Sequence, residues 1–361
     1  MLFDTILPFF GILIVLVAVH ELGHYVTAKL TGVKVLEAGL GYPPRIWGFT
    51  FRDTIYSINL LPLGGFVRLL GEEDPTDPQS LAAKSRPVRL LVLVAGSAMN
   101  FMLPILLFAI AFMIPRDVPV GPSQIVDVLP NAPAAEAGLQ PGDVVLAVDG
   151  KEVRNTRELG REIRLNMGST VDLRVQRPPS ADPADIGKGE ILTVPVKSRY
   201  NSNGPMGIRV SMPFLDRVEE DQFLPWEAVG EGWTATIESL ILARNEVFSW
   251  FAGGSSPEFA GPVGIAQTTG EIVDEAGWRT LLEFTALLSI NLGIINILPL
   301  PMLDGGRIAF VLLEIARRGK RIAPEREALV HLIGLVAMIS LAIVITYFDV
   351  IRIFSGDSLL R

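Results

Sequence analysis

This chain of 361 residues has no cysteine and only three histidines, and its 19% of charged residues is below the roughly 25% usual in globular domains. The absence of cysteine excludes disulfides, iron–sulfur clusters and thiolate ligands, so any metal must be held by imidazole and carboxylate. A net charge of −8, with no basic stripe outside short connections, excludes a nucleic-acid partner. A cleavable leader is not expected either. The first apolar stretch has Asp4 before it and Lys29 and Lys34 after it, the reverse of a signal peptide's charge order, and no convincing small-residue cleavage site follows.

What the chain has instead is apolar length. Hydrophobic residues make up 49%, mean hydropathy is +0.41, and four stretches, at about 5–30, 90–114, 281–298 and 329–348, are long enough to cross a bilayer. Lys34, Arg45, Arg52, Arg68, Lys84, Arg86 and Arg89 follow the first stretch. Arg317, Arg318, Lys320, Arg321 and Arg326 lie between the last two. By the positive-inside rule both connections are expected in the cytoplasm, with the termini and the long central segment outside.

His20-Glu21-Leu22-Gly23-His24 closes the first stretch. On a helix, positions i and i+4 share a face, so both imidazoles can bind one metal ion, and Glu21 beside them can take a proton from a water activated there. H-E-x-x-H is the zinc metalloprotease signature, and ionisable side chains in an apolar helix cost about 2.5–3.5 kcal/mol each unless function retains them. From Thr5 to His20 is ~22 Å of helix against a core of about 30 Å, which puts the pair inside the membrane toward the cytoplasmic face.

Two histidines leave a catalytic zinc site one ligand short. The best third candidate is Asp304, in Asn296-Ile297-Leu298-Pro299-Leu300-Pro301-Met302-Leu303-Asp304-Gly305-Gly306. Pro299 and Pro301 break the helix and free carbonyl groups at membrane depth, which is tolerable only where protein or a water-filled cavity surrounds them. The alternative is that Asp304 caps a helix over 307–316.

On these segments the chain resembles the site-2 protease family of intramembrane zinc metalloproteases, in its bacterial branch with one PDZ-like domain. The H-E-L-G-H at 20–24 matches the family's first-helix motif, and 296–306 matches its N-x-x-P-x-P-x-L-D-G motif without departure. Thr54, Tyr56 and Pro62 to Val67 look like its cytoplasmic β-loop. Gly96 to Asn100-Phe101 matches a second-helix pattern, and Gly261-Pro262-Val263-Gly264 a segment ahead of the third span. The resemblance implies Zn2+ as cofactor, His20, His24 and Asp304 as its ligands, and Glu21 as catalytic acid/base. It also implies that Asn291, Asn296, Pro299 and Pro301 position the substrate.

The expected architecture is a polytopic α-helical membrane protein with four transmembrane helices, a cytoplasmic-side membrane-associated β-loop and an inserted extracytoplasmic PDZ-like α+β domain. Residues 1–115 hold the first two helices, with the β-loop at 33–70. Residues 116–200 form the PDZ-like domain, 201–275 a linker with an amphipathic helix, and 276–361 the last two helices. Alternation near 54–59, bounded by Gly39, Gly41, Pro43, Pro44, Gly64 and Gly65, reads as strands, and an edge there would pair with an unwound substrate. A solvated hairpin is the alternative. The 133–143 stretch resembles the loop-and-turn signature of bacterial PDZ domains, which implies a possible peptide ligand. Residues 225–251 read as an interfacial or partner-binding helix too charged to span. His331 reads as a packing or snorkelling residue.

The function expected is hydrolysis of transmembrane segments of single-span proteins in the bacterial inner membrane: anti-sigma factors or signal-peptide remnants in regulated intramembrane proteolysis. A silent scaffold capturing partners through the PDZ-like domain is the first rival, disfavoured by an intact Glu21 beside two histidines. A metal transporter is the second, and it would show paired ligands along a pathway rather than one cluster.

Overall fold

A computed structural model describes residues 2–180, 182–257 and 260–355. In chain order the elements are α1 (Leu2–Leu30), β1 (Val35–Phe51), β2 (Thr54–Leu69), α2 (Arg86–Phe112), β3 (Arg116–Val120), β4 (Ser123–Val128), α3 (Pro133–Glu136), β5 (Val144–Val148), β6 (Lys151–Glu152), α4 (Thr156–Leu165), β7 (Thr170–Arg177), β8 (Glu190–Lys197), β9 (Ile208–Ser211), β10 (Arg217–Asp221), α5 (Pro225–Phe251), α6 (Pro262–Glu275), α7 (Gly277–Ile297), α8 (Asp304–Ala316) and α9 (Pro324–Phe354). They form two compact units. One takes residues 1–111, 225–236 and 259–361, and the other 112–224 and 237–258.

Among the described residues, the first unit holds four helices long and apolar enough to span a bilayer: Thr5–Leu30 within α1, then α2, α7 and α9. Of the most apolar window of α9 only 11% is buried, and of α1 22%. A helix apolar on every side yet bare of protein has lipid as its natural neighbour. Each helix also runs past its apolar core into polar flanks, so α2 begins at Arg86 and α9 at Pro324, where a missing N–H costs nothing.

Beside α1 lies the β1–β2 pair. Both strands bend, so residues 37–40 pair with 65–68 on one side and 55–58 on the other, while 45–51 pair with 54–59. The alternating stretch at 54–59 is therefore interior. The open edges are 65–69 and 45–51. Glu37 anchors this sheet, buried, with Arg45 at 2.6 Å, Ser57 at 2.8 Å and Arg68 at 3.1 Å from its carboxylate oxygens. Apolar side chains cover the outer surface instead, with Ile46, Trp47, Phe49, Phe51, Leu60 and Leu61 all exposed.

At the same end of the unit, Ala28, Val35, Leu69, Val92, Leu93 and Val311 form a core joining α1, the sheet, α2 and α8. An ion cluster ties α8 to α2: buried Glu314 accepts from Arg89 at 2.6 Å and Arg86 at 3.1 Å, with Arg321 at 3.3 Å. Burial alone would push this carboxyl up, but the guanidinium groups hold it below the usual range. On α9, Asp349 is buried and accepts the Gly264 N–H at 2.8 Å at the start of α6. Side chains at Gly261 or Gly264 would collide with that carboxylate, which accounts for the Gly-Pro-Val-Gly sequence there.

The second unit is a sheet in the order β8-β7-β5-β4-β9, with β6 beside β5. Ile125, Leu159, Leu173, Val175, Val196 and Met206 fill its core with α3 and α4. The sheet continues past residue 200, because β9 pairs with β4, and β10 pairs with β3 as a separate ribbon. Asn155 caps α4 by accepting the Glu158 N–H at 2.9 Å.

Candidate active site and metal centre

His20 and His24 leave the same face of α1, and their Nε2 atoms are 3.2 Å apart. Asp304, in the first turn of α8, brings one carboxylate oxygen, Oδ2, to 3.0 Å from each of them. Ligand atoms around a tetrahedral zinc with bonds of about 2.0–2.1 Å lie about 3.3 Å apart, so three donors spaced at 3.0–3.2 Å suit three vertices and leave the fourth open. The proton pattern suits a cation as well. His24 Nδ1 lies 2.8 Å from the Val92 carbonyl oxygen, which can only accept, so Nδ1 carries the hydrogen and Nε2 offers its lone pair inward. This is the one group of histidine and carboxylate side chains with metal-ligand spacing among the described residues.

Several contacts between elements make the convergence possible. At Gly23 the backbone of α1 touches the Ala95 carbonyl of α2, where any side chain would collide. Gly96 then faces both rings, and a Cβ on it would strike His24 Nε2 and His20 Nε2. One turn later Asn100, fully buried, places its amide nitrogen 3.1 Å from His20 Nδ1. Ser289 of α7 donates to the Asn100 carbonyl at 2.8 Å, fixing α7 against this stretch.

Asp304 reaches the site because residues 298–303 fold back between α7 and α8. Side chains at Gly305 and Gly306 would collide with the carbonyls of Leu298 and Leu300, so both positions must be bare for the turn to close. Met302 sits at φ +79°, a conformation unfavourable for a side-chain-bearing residue, and its N–H donates to His331 Nδ1 of α9 at 2.8 Å. Gly334, one turn further along α9, packs against Pro301. The capping alternative for Asp304 has no contact behind it: Leu303 occupies the N-cap position and no side chain caps α8.

Glu21 points to the opposite side of the histidine pair from α2, onto the sheet. It lines a cavity of about 400 Å³ with Leu22, Tyr25, Trp47, Phe66 and Val67. Its neighbours there, Gly65 to Val67, belong to the open edge of β2. Of the four residues implied in substrate positioning, Pro301 packs under α9, Pro299 and Asn291 are exposed, and Asn296 is half-buried. No hydrogen bond joins either asparagine to the three converging residues.

The structure also brings in three residues to which the sequence gives no role at the site. Gly96 and Asn100 lie in a motif whose spacing of four marks one helix face, and that spacing was the available signal. His331 offers none, because its partner is a backbone N–H 29 positions away.

A family model of peptidase family M50 matches residues 8–341 of this chain. A Clostridium perfringens protein, whose provisional name is zinc metalloprotease, is 33% identical over 93% of this chain and 95% of its own length. The zinc metalloprotease RasP of Oceanobacillus iheyensis is 30% identical over 97% of this chain and 99% of its own. That of Shouchella clausii is 29% identical over 98% and 100%.

Proposed function

Because this chain belongs to peptidase family M50, the site-2 proteases, we propose that it hydrolyses peptide bonds inside the transmembrane segments of single-span membrane proteins. It is a zinc metalloprotease and a multi-pass membrane protein. The observation that supports the finer reading is the meeting of Asp304 with His20 and His24, which lie on α1, an apolar helix long enough to span a bilayer and mostly bare of protein.

In this reading the two Nε2 atoms and Asp304 Oδ2 hold the zinc. When bound, zinc acts as a Lewis acid and brings the pKa of an attacking water to about 7. Glu21 takes the proton from that water and returns it to the leaving nitrogen. The open edge at residues 65–69 receives the unwound substrate as an added strand, replacing the backbone hydrogen bonds that a helix loses on unwinding in lipid. The cavity beside Glu21 holds an apolar side chain of that strand. The exposed aromatic surface of the sheet dips into the membrane from the cytoplasmic side. The second unit is the PDZ-like domain, outside the cytoplasm, receiving a peptide ligand or excluding bulky ectodomains. The substrates fit regulated intramembrane proteolysis of anti-sigma factors or signal-peptide remnants in a bacterial inner membrane.

Purified protein incubated with a model single-span substrate should release fragments whose masses place the cut within the apolar segment, toward its cytoplasmic end. Cuts only in the flanking soluble regions would overturn the intramembrane assignment. Sidedness is tested separately. On intact cells an impermeant thiol reagent should label Ser180→Cys and spare Lys320→Cys, and the reverse pattern would invert the orientation.

A further inference from the structure

Asn100 is fully buried on α2, with its amide nitrogen 3.1 Å from His20 Nδ1 and its Oδ1 without any hydrogen-bond partner. In that orientation the amide donates to Nδ1, which leaves the ring's own proton on Nε2. An Nε2 that carries hydrogen has no lone pair for a metal, yet it is this atom that faces His24 and Asp304. A half-turn of the amide exchanges two atoms of nearly equal size and resolves the conflict. Oδ1 then accepts from Nδ1–H, the proton leaves Nε2, and the lone pair points at the site.

The two histidines would then be held in the same way, His24 by the Val92 carbonyl at 2.8 Å and His20 by the Asn100 carbonyl oxygen. Val92 and Asn100 lie on α2 eight residues apart, two turns along one face, with Gly96 midway and bare where the rings pass. We propose that Asn100 is a positioning residue of the zinc site, accepting a hydrogen bond from His20 Nδ1 so that Nε2 is free to ligate. This rests on His20, His24 and Asp304 being the zinc ligands.

The test is zinc affinity, measured by chelator competition on the full-length protein in detergent, without any cleavage assay. Asn100→Leu keeps the volume but has no acceptor, and should weaken zinc binding by about 10–100-fold, the range usual for loss of an outer-shell partner. Asn100→Asp can only accept, and should bind zinc within threefold of wild type or more tightly. A residue that merely fills space would give the opposite order, with Leu tolerated and the buried carboxylate not. Leu binding within threefold of wild type overturns the proposal, and so does Asp binding more than threefold weaker. The second result applies even if the Leu variant fails to fold. His24→Ala in parallel separates the two levels: if it binds zinc as wild type does, the ligand assignment itself falls, and the role of Asn100 with it.

Discussion

Glu21→Gln is expected to lower kcat/KM for a transmembrane substrate by more than about 100-fold while zinc content stays at that of wild type. Gln has nearly the shape of Glu and lies outside the three converging donors, so the metal's surroundings are unchanged. What it loses is the capacity to accept a proton, and general acid–base groups contribute about 10²–10⁴-fold to rate. Zinc by mass spectrometry and cleavage on the same preparation decide the matter. Activity within threefold of wild type, a difference of less than about 1 kcal/mol in barrier, removes Glu21 from the proton transfers.

Asp304→Ala should act on the metal first. Its Oδ2 meets both imidazoles, each at 3.0 Å, and among the described residues no other carboxylate shares the group. Zinc affinity is expected to fall further than the roughly 10–100-fold that outer-shell changes produce, with activity lost in step. Asn296→Ala serves as the contrast, expected to keep zinc, since its side chain makes no hydrogen bond to the three converging residues. Wild-type zinc stoichiometry and affinity in Asp304→Ala would return that residue to a purely helical role.

The parts of this molecule legible in its sequence are those written within a few residues. The four long helices follow from apolar length, and the histidine pair from a spacing of four on one helix. Asp304 was legible because two prolines and a carboxylate in an apolar run are costly together. The sheet was legible as strands but not as a pairing: alternation marked 54–59, yet residues 37–40 cover that stretch and leave 65–69 as the edge beside Glu21. Register of this kind depends on where a strand bends, and no local pattern encodes it. The same limit hid β9, whose four residues beyond residue 200 gain strand character only from β4. Asn100 and His331 show the limit most plainly. Each touches a partner 80 or 29 positions away, through helix packing that sequence spacing does not report.

The separation of 280 positions between His24 and Asp304 also has a consequence in time. A ribosome adding about 5–20 residues per second needs on the order of 15–60 s to travel from one to the other. Throughout that interval the nascent chain displays two imidazoles and the Glu21 carboxylate without the residue that completes the cluster. A truncated or stalled product ending before α8 carries the signature pentapeptide without Asp304 beside it. The order of the chain thus leaves the cluster of His20, His24 and Asp304 incomplete until residue 304 has been made.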